Sequence, residues 1–254
     1  MSQLDLRSAL LEWPHDPEQV SVRKIVGADG AVRIQMRVEL GLLQMDVTGR
    51  PDGLRPHDRD TVLEHYQDQL RRYEKRNDTA LGFALTPKEC LELRVEASQF
   101  YRRYVALFVL EDYDAVVRDT AHTLAIFDLC KTYAFDADDQ AIMEPYRPYV
   151  LMMAARSRAY LALRDNEPAS ALAHVNRGIL QIKSHLEDRG QGEMIPNAQE
   201  IKVLQQLASE ITGKMPESSV LVQKRALREA IAEERFEDAA KLRDAIRSTR
   251  RHHD

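Results

Sequence analysis

At 254 residues with an apolar fraction of 44%, the chain can bury a sizeable core, either as one large domain or as a domain with a small appendage. Charged residues make up 30% and aromatics only 6%, a balance that suits amphipathic helices with solvated outer faces and argues against an all-β architecture. The net charge of -5 excludes a whole-chain basic field of the kind that draws in nucleic acid.

The start, Met1 to Trp13, lacks a basic region followed by an apolar run. In the next stretch Val20, Val22 and Ile25-Val26 lead to a turn signal at Gly27-Ala28-Asp29-Gly30. Val32, Ile34, Met36, Val38 and Leu40 then alternate with Arg33, Gln35, Arg37 and Glu39, which predicts a strand with one buried and one wet face, and hence a β-hairpin. After Gly41 the phase flips to Leu43, Met45 and Val47, suggesting a bulge or strand break. Residues 48–60, with Gly49, Pro51, Gly53 and Pro56, form a turn-rich loop. Within it Gly49–His57 is either a plain surface connector or a segment that the hairpin presents rigidly.

From Asp60 or Thr61, either able to cap a helix, the spacing is helical. Val62, Leu63, Tyr66, Leu70 and Tyr73 place a helix over Thr61–Arg76. Thr86-Pro87-Lys88-Glu89 combines a capping threonine, a first-turn proline and an acid three residues on, opening a helix to about Leu110. Further helices are expected from Asp112 or Asp114 to Tyr133, from Pro145 and Pro148 through Leu163, from Pro168 through Leu186, and over Asn197–Ile211, with Lys214–Ser218 as a linker. Ala159, Ala162, Ala171 and Gly178 fall on facing sides of the pair Ala155–Gly178. That pair resembles a tetratricopeptide repeat, which places small residues at such points so that two helices can approach closely; Gln99–Asp128 matches more weakly. Repeat-like pairs and an ordinary antiparallel bundle both remain open, and both give stacked antiparallel helices.

The most specific segment is at the end. Leu227 and Ile231, then Phe236-Glu237, Ala239-Ala240, Leu242-Arg243-Asp244 and Ile246, repeat nearly in register a pattern that resembles the UVR motif. This motif is found in excinuclease subunits B and C and in some chaperone–protease regulators. The resemblance covers about 30 of the 254 residues. It implies a two-helix hairpin that associates antiparallel with another such hairpin to make a four-helix unit. The spacing agrees: Leu221, Leu227 and Ile231 form one stripe of a helix beginning near Ser218 or Ser219, and Phe236, Ala239, Ala240, Leu242 and Ile246 form the stripe of a second. Phe236 is expected to wedge into the pair at the turn. Glu237 suits the positive start of the second helix. Arg243 and Asp244 are either a solvated pair or a polar lock across docked hairpins. A hairpin this short is marginal alone, which predicts a protein partner.

The chemistry-bearing residues give no enzyme signature. Cys90 and Cys130 lack zinc spacing and are expected as buried reduced thiols; His122 and His174 are expected as structural histidines, His252 and His253 as a polar terminus, and Asp136–Asp139 as an acidic turn. No catalytic, cofactor-binding or metal-ligating residue is expected. Residues 218–254 hold nine Lys/Arg against seven Asp/Glu, but the basic tip Arg250–His253 and the loop arginines have no interleaved aromatics. Direct nucleic-acid binding is therefore not expected, and neither is a membrane span.

The sequence thus predicts a mainly α, cytoplasmic, non-enzymatic adaptor. Its parts are an N-terminal β-hairpin-containing segment (1–60), a helical, tetratricopeptide-like or bundled body (61–213), and a linker with the UVR-like hairpin (214–254). The partner-binding set is Leu227, Ile231, Phe236, Glu237, Ala240, Leu242, Arg243, Asp244 and Ile246. The alternatives are a DNA-repair accessory that touches DNA, and an enzyme whose site gathers His122, Asp119 and Arg158 in the helical body.

Overall fold

The computed structural model describes residues 6–215 and 220–251. The linker residues 216–219, the proposed helix start at Ser218 or Ser219, and His252 and His253 lie outside the described residues. Among those described are ten helices and one three-stranded antiparallel sheet: α1 (Arg7–Leu11), β1 (Val22–Val26), β2 (Val32–Val38), β3 (Gly41–Asp46), α2 (Val62–Asn77), α3 (Pro87–Val109), α4 (Tyr113–Tyr133), α5 (Ala137–Ala141), α6 (Arg147–Arg164), α7 (Pro168–Asp188), α8 (Gln199–Gly213), α9 (Val220–Ala232) and α10 (Phe236–Arg251). The mainly α architecture with an N-terminal β element is as the sequence predicts. The chain divides within α6 into two compact units, residues 1–157 and 158–254. No described helix is long and apolar enough to cross a membrane.

In the first unit the order of strands is β1-β2-β3. The break after Val38 is a second hairpin rather than a bulge: Val38 pairs with Gly41, leaving Glu39 and Leu40 as a two-residue turn, with Leu40 fully in solvent. The pairing sets Ile34 opposite Met45 and Met36 opposite Leu43, so a turn of this length requires the change of phase that the sequence displays. Ile34, Met36 and Met45 enter the core. The opposite face is not simply wet, because Gln35 is buried, accepting from Arg23 Nε at 2.9 Å and donating to Gln44 Oε1 at 3.0 Å.

α3 and α4 pack antiparallel, with α2 laid against both. The capping box at Thr86 and Glu89 forms as expected, with Pro87 in the first turn. Leu93, Ala97, Ile126, Phe127 and Leu129 make the core with Val62, Leu63 and Tyr66 of α2. Cys90 and Cys130 are both buried and unbridged. Far apart in sequence, they nevertheless meet. Burial raises the Cys130 thiol well above the ordinary thiol range, helped by its donating a hydrogen bond to Cys90, whose own thiol is also raised by burial. The acidic run 136–139 is not a bare turn: it opens α5, and Asp139 is buried against Arg94 at 3.0 Å.

One helix–helix turn recurs. Glu111, Asn166 and Glu234 each take a left-handed backbone, with φ of 57°, 59° and 59°. In each case the next residue donates its N–H back to a carbonyl five residues earlier: Asp112 to Leu107 at 3.0 Å, Glu167 to Ala162 at 2.8 Å, and Arg235 to Ala230 at 2.8 Å. These are Schellman closures, and the next helix starts one residue later. Each seats a buried residue on either side: Leu107 with Val116, Ala162 with Ala171, and Ala230 with Ala239. Ala159 and Gly178 are buried as well, so all four small residues of the pair Ala155–Gly178 face inward. A β-carbon in this conformation costs roughly 1–2 kcal/mol, offset in part by glycine's greater entropy loss. Glu111→Gly should therefore stabilise the first unit by up to about 1 kcal/mol, measured by urea denaturation. A loss of stability would mean that the Glu111 side chain itself holds the turn.

Candidate protein-interaction surface

The C-terminal hairpin is built from sequence upward by that same turn. Glu234 N–H bonds Ile231 O at 3.1 Å and Ala239 N–H bonds Arg235 O at 3.0 Å, so α10 restarts only three residues after α9 ends. Arg235 Nη1 reaches Asp238 at 3.0 Å and its Nε reaches Glu233 at 2.8 Å, bracing the reversal from outside. Glu237 and Asp238 occupy the first turn of α10, where the unpaired N–H groups favour negative charge.

The single stripe expected on α10 is two stripes in the structure. Ala239, Leu242 and Ile246, at i, i+3 and i+7, turn inward: Ala239 and Ile246 are buried and Leu242 half-buried. Across from them α9 offers Ala230, which is 1% exposed. Phe236, Ala240, Arg243 and Asp244, at i, i+4, i+7 and i+8, form a second face, and all four are exposed. Phe236 does not wedge between the helices. It is 67% exposed, because Ala230 and Ala239 close the turn too tightly to admit a ring between them. Ile231, at the end of α9, is 53% exposed, Leu227 is half-buried, and Glu237 is exposed. Among the described residues Arg243 and Asp244 pair with each other, at 3.2 Å, with both side chains largely in solvent. Among the described side chains the hairpin buries three, two of them alanines. Over the described side chains that is little apolar area for a pair of helices.

Charge along the hairpin is sorted. Residues 229–238, at the turn, carry five acids and one arginine, whereas 220–228 and 241–251 together carry eight Lys/Arg and one aspartate. The turn end is acidic and the open end basic.

In the first unit the ionisable residues form a buried frame. Glu96 is fully buried on α3; its carboxylate accepts from Val62 N at 2.7 Å and Leu63 N at 3.1 Å, taking up the free N–H groups at the start of α2, and bonds His122 Nε2 at 2.9 Å. His122 stacks on Phe100 with centroids 3.8 Å apart. Arg103, 1% exposed, grips Asp119 through two bonds of 2.6 and 2.9 Å and donates to Asp46 O and Gly49 O at 2.9 and 2.8 Å. Arg118 adds a bond to Asp119 at 2.9 Å and one to Val47 O at 2.9 Å. The loop after β3 is thus held by three guanidinium–carbonyl bonds, and Gln99 holds its Arg50 and Asp52 at 3.2 and 2.8 Å. His122 and Asp119, gathered with Arg158 in the enzyme alternative, each have a structural partner here, and Arg158 belongs to the other compact unit. This frame was not foreseen. Part of its signal was present in sequence: Glu96 and Arg103 share one stripe of α3 with Leu93, Ala97, Phe100 and Leu107, and Asp119 falls on the α4 stripe of Val116 and Thr123.

No protein-family model, no curated protein and no solved structure matches the chain.

Proposed function

We propose that this chain is a non-enzymatic adaptor whose C-terminal hairpin α9–α10 pairs with a second hairpin of the same UVR-like kind, in another copy of the chain or in another protein. The observation that carries this is the exposed apolar pair at the tip, Phe236 and Ile231, on a hairpin whose buried side chains, among those described, are two alanines and an isoleucine. A large ring held in water at a rigid turn is what an interface anchor looks like before its pocket arrives. Ala240, small and exposed, allows another backbone to approach along the same face. The charge sorting supports one orientation: an antiparallel partner lays its basic open end over this acidic turn, while a parallel one opposes like charges. Phe236 and Ile231 then sit beneath the partner, with Arg243 and Asp244 within reach of its polar rim.

Light scattering on the full chain, together with capture of a UVR-bearing protein on it, tests this. The wild type should self-associate or retain such a protein, and Phe236→Asp with Leu242→Asp should abolish both. Phe236→Asp alone serves as the control, since an exposed ring can be replaced without disturbing the hairpin core. An unchanged oligomeric state and partner set in both variants would exclude the adaptor role.

A further inference from the structure

We infer that the stacked imidazoles of His57 and His65 form a proton-operated latch that holds the segment 54–60 on α2 and α3 at neutral pH and releases it on acidification. The two rings lie face to face, centroids 4.0 Å apart and planes 14° from parallel, with Tyr66 meeting both edge-on at 6.1 and 5.0 Å. His57 Nε2 sits 3.2 Å from Glu92 Oε2 on α3, and the Tyr66 hydroxyl donates to the same oxygen at 2.9 Å. His65 Nε2 is 2.7 Å from Gln69 Nε2, so in this arrangement the amide donates and the imidazole nitrogen accepts, as a neutral ring can. Two stacked imidazolium ions repel, and the cluster is therefore complete only while at least His65 is uncharged.

The backbone stores the opposing force. His57 and Asp58 follow one another with φ of 56° and 57°. Consecutive left-handed residues that are not glycine are uncommon and strained, and they persist only while neighbouring contacts enforce them. The contacts available are few. Those described are the stack with its Tyr66 edge contact, the Glu92 bond, the Asp60 N–H bond to Glu64 at 3.2 Å, and an ion pair from Arg59 to Asp68 at 2.8 Å. When the stack fails, the strain drives the segment away.

The surrounding charges fix the sign. The turn contributes His57, Asp58 and Arg59; α2 contributes His65, Tyr66, Asp68 and Arg72; α3 contributes Lys88, Glu89 and Glu92. Desolvation first, then His57 and Arg59, hold the His65 imidazole below its ordinary 6.5. Against desolvation, the Tyr66 and His57 bonds hold the Glu92 carboxyl below its usual range, so Glu92 stays charged while the His65 imidazole takes up its proton. Because His65 binds its proton more readily when the segment is open, the latch is whole above about 6.5 and weakens as pH falls through and below that value.

Amide hydrogen exchange on the full chain, normalised for intrinsic rates, tests the latch at pH 7.5 and 5.5. The reporters are Arg59 N–H, bonded to Pro56 O, and Asp60 N–H, bonded to Glu64. Opening that takes up one proton gains up to about tenfold per pH unit, so roughly tenfold lower protection is expected at pH 5.5 in the wild type. His65→Phe keeps a ring in the stack but cannot titrate. There no like-charged imidazole pair can form, and protection should not fall at pH 5.5. A proton NMR titration of the wild type should show the His65 ring and the Arg59 amide moving with one midpoint. Equal wild-type protection at both pH values, the same loosening in His65→Phe, or separate midpoints would each overturn the latch.

Discussion

Asp119→Ala should destabilise the first unit by about 3–5 kcal/mol, the largest loss expected of any single substitution in this chain. Asp119 is fully buried and receives three guanidinium bonds, two from Arg103 and one from Arg118. Removing the carboxylate leaves the Arg103 cation, 1% exposed, without its counter-charge in a place where water cannot replace it. It also loosens the guanidinium that ties Asp46 O and Gly49 O, so the loop after β3 should fray in the same variant. The pair is worth less than its breakage: replacing both residues, Arg103→Met with Asp119→Leu, should cost less than Asp119→Ala alone. Trp13, the chain's one tryptophan, lies in this unit with Arg23 stacked 4.3 Å from its ring, and its fluorescence follows unfolding in urea. If Asp119→Ala shifted the transition by less than about 1 kcal/mol, the frame would be ornamental rather than structural.

Truncating Phe236 alone should weaken the proposed hairpin pairing by about 2–4 kcal/mol, roughly 30- to 1,000-fold in Kd, while leaving the unfolding midpoint unchanged. The two halves of that expectation separate an interface residue from a core residue. A ring that is 67% exposed contributes little to folding, and Phe236→Ala opens no cavity. Ile246→Ala should do the reverse: its side chain is 9% exposed and belongs to the inner stripe, so folding of the hairpin suffers first and association only as a consequence. Analytical ultracentrifugation beside thermal unfolding distinguishes the two. Equal loss of stability in both variants would place Phe236 in the folded core of the chain.

Local rules were legible in the sequence wherever one residue type answers one backbone need. Thr86, Pro87 and Glu89 opened α3 as predicted, and Gly30, with φ of 79°, closed the β1–β2 loop. Helix ends fell within a residue or two of their capping signals. Two features were harder to read, for different reasons. The phase change near Gly41 is the same in a bulge and in a tight hairpin, and only strand pairing tells them apart. Buried charge is hidden more deeply: the apolar neighbours of Glu96, Arg103 and Asp119 mark an inward stripe, but which partners from α2, α4 and the β3 loop meet them is set only by the fold.

On α10 the neighbours Ala239 and Ala240 were read as one stripe, yet they lie 100° apart around the axis, and the structure turns one in and the other out. The segment that resembles the UVR motif therefore divides its apolar letters between holding the hairpin and facing outward, a division that a linear pattern does not record.

The recurrent three-residue reversal has a consequence for how this chain can vary. One residue inserted beside Glu234 would rotate all of α10 by about 100°, swinging Ala239 to the outer face and setting Asp238 and Lys241 in the inward positions that Ala239 and Leu242 now hold. The letters at these reversals differ freely, as Glu-Asp, Asn-Glu and Glu-Arg already do. Their length cannot: a single-codon insertion there would re-address the outer surface of the second helix while leaving every helix intact.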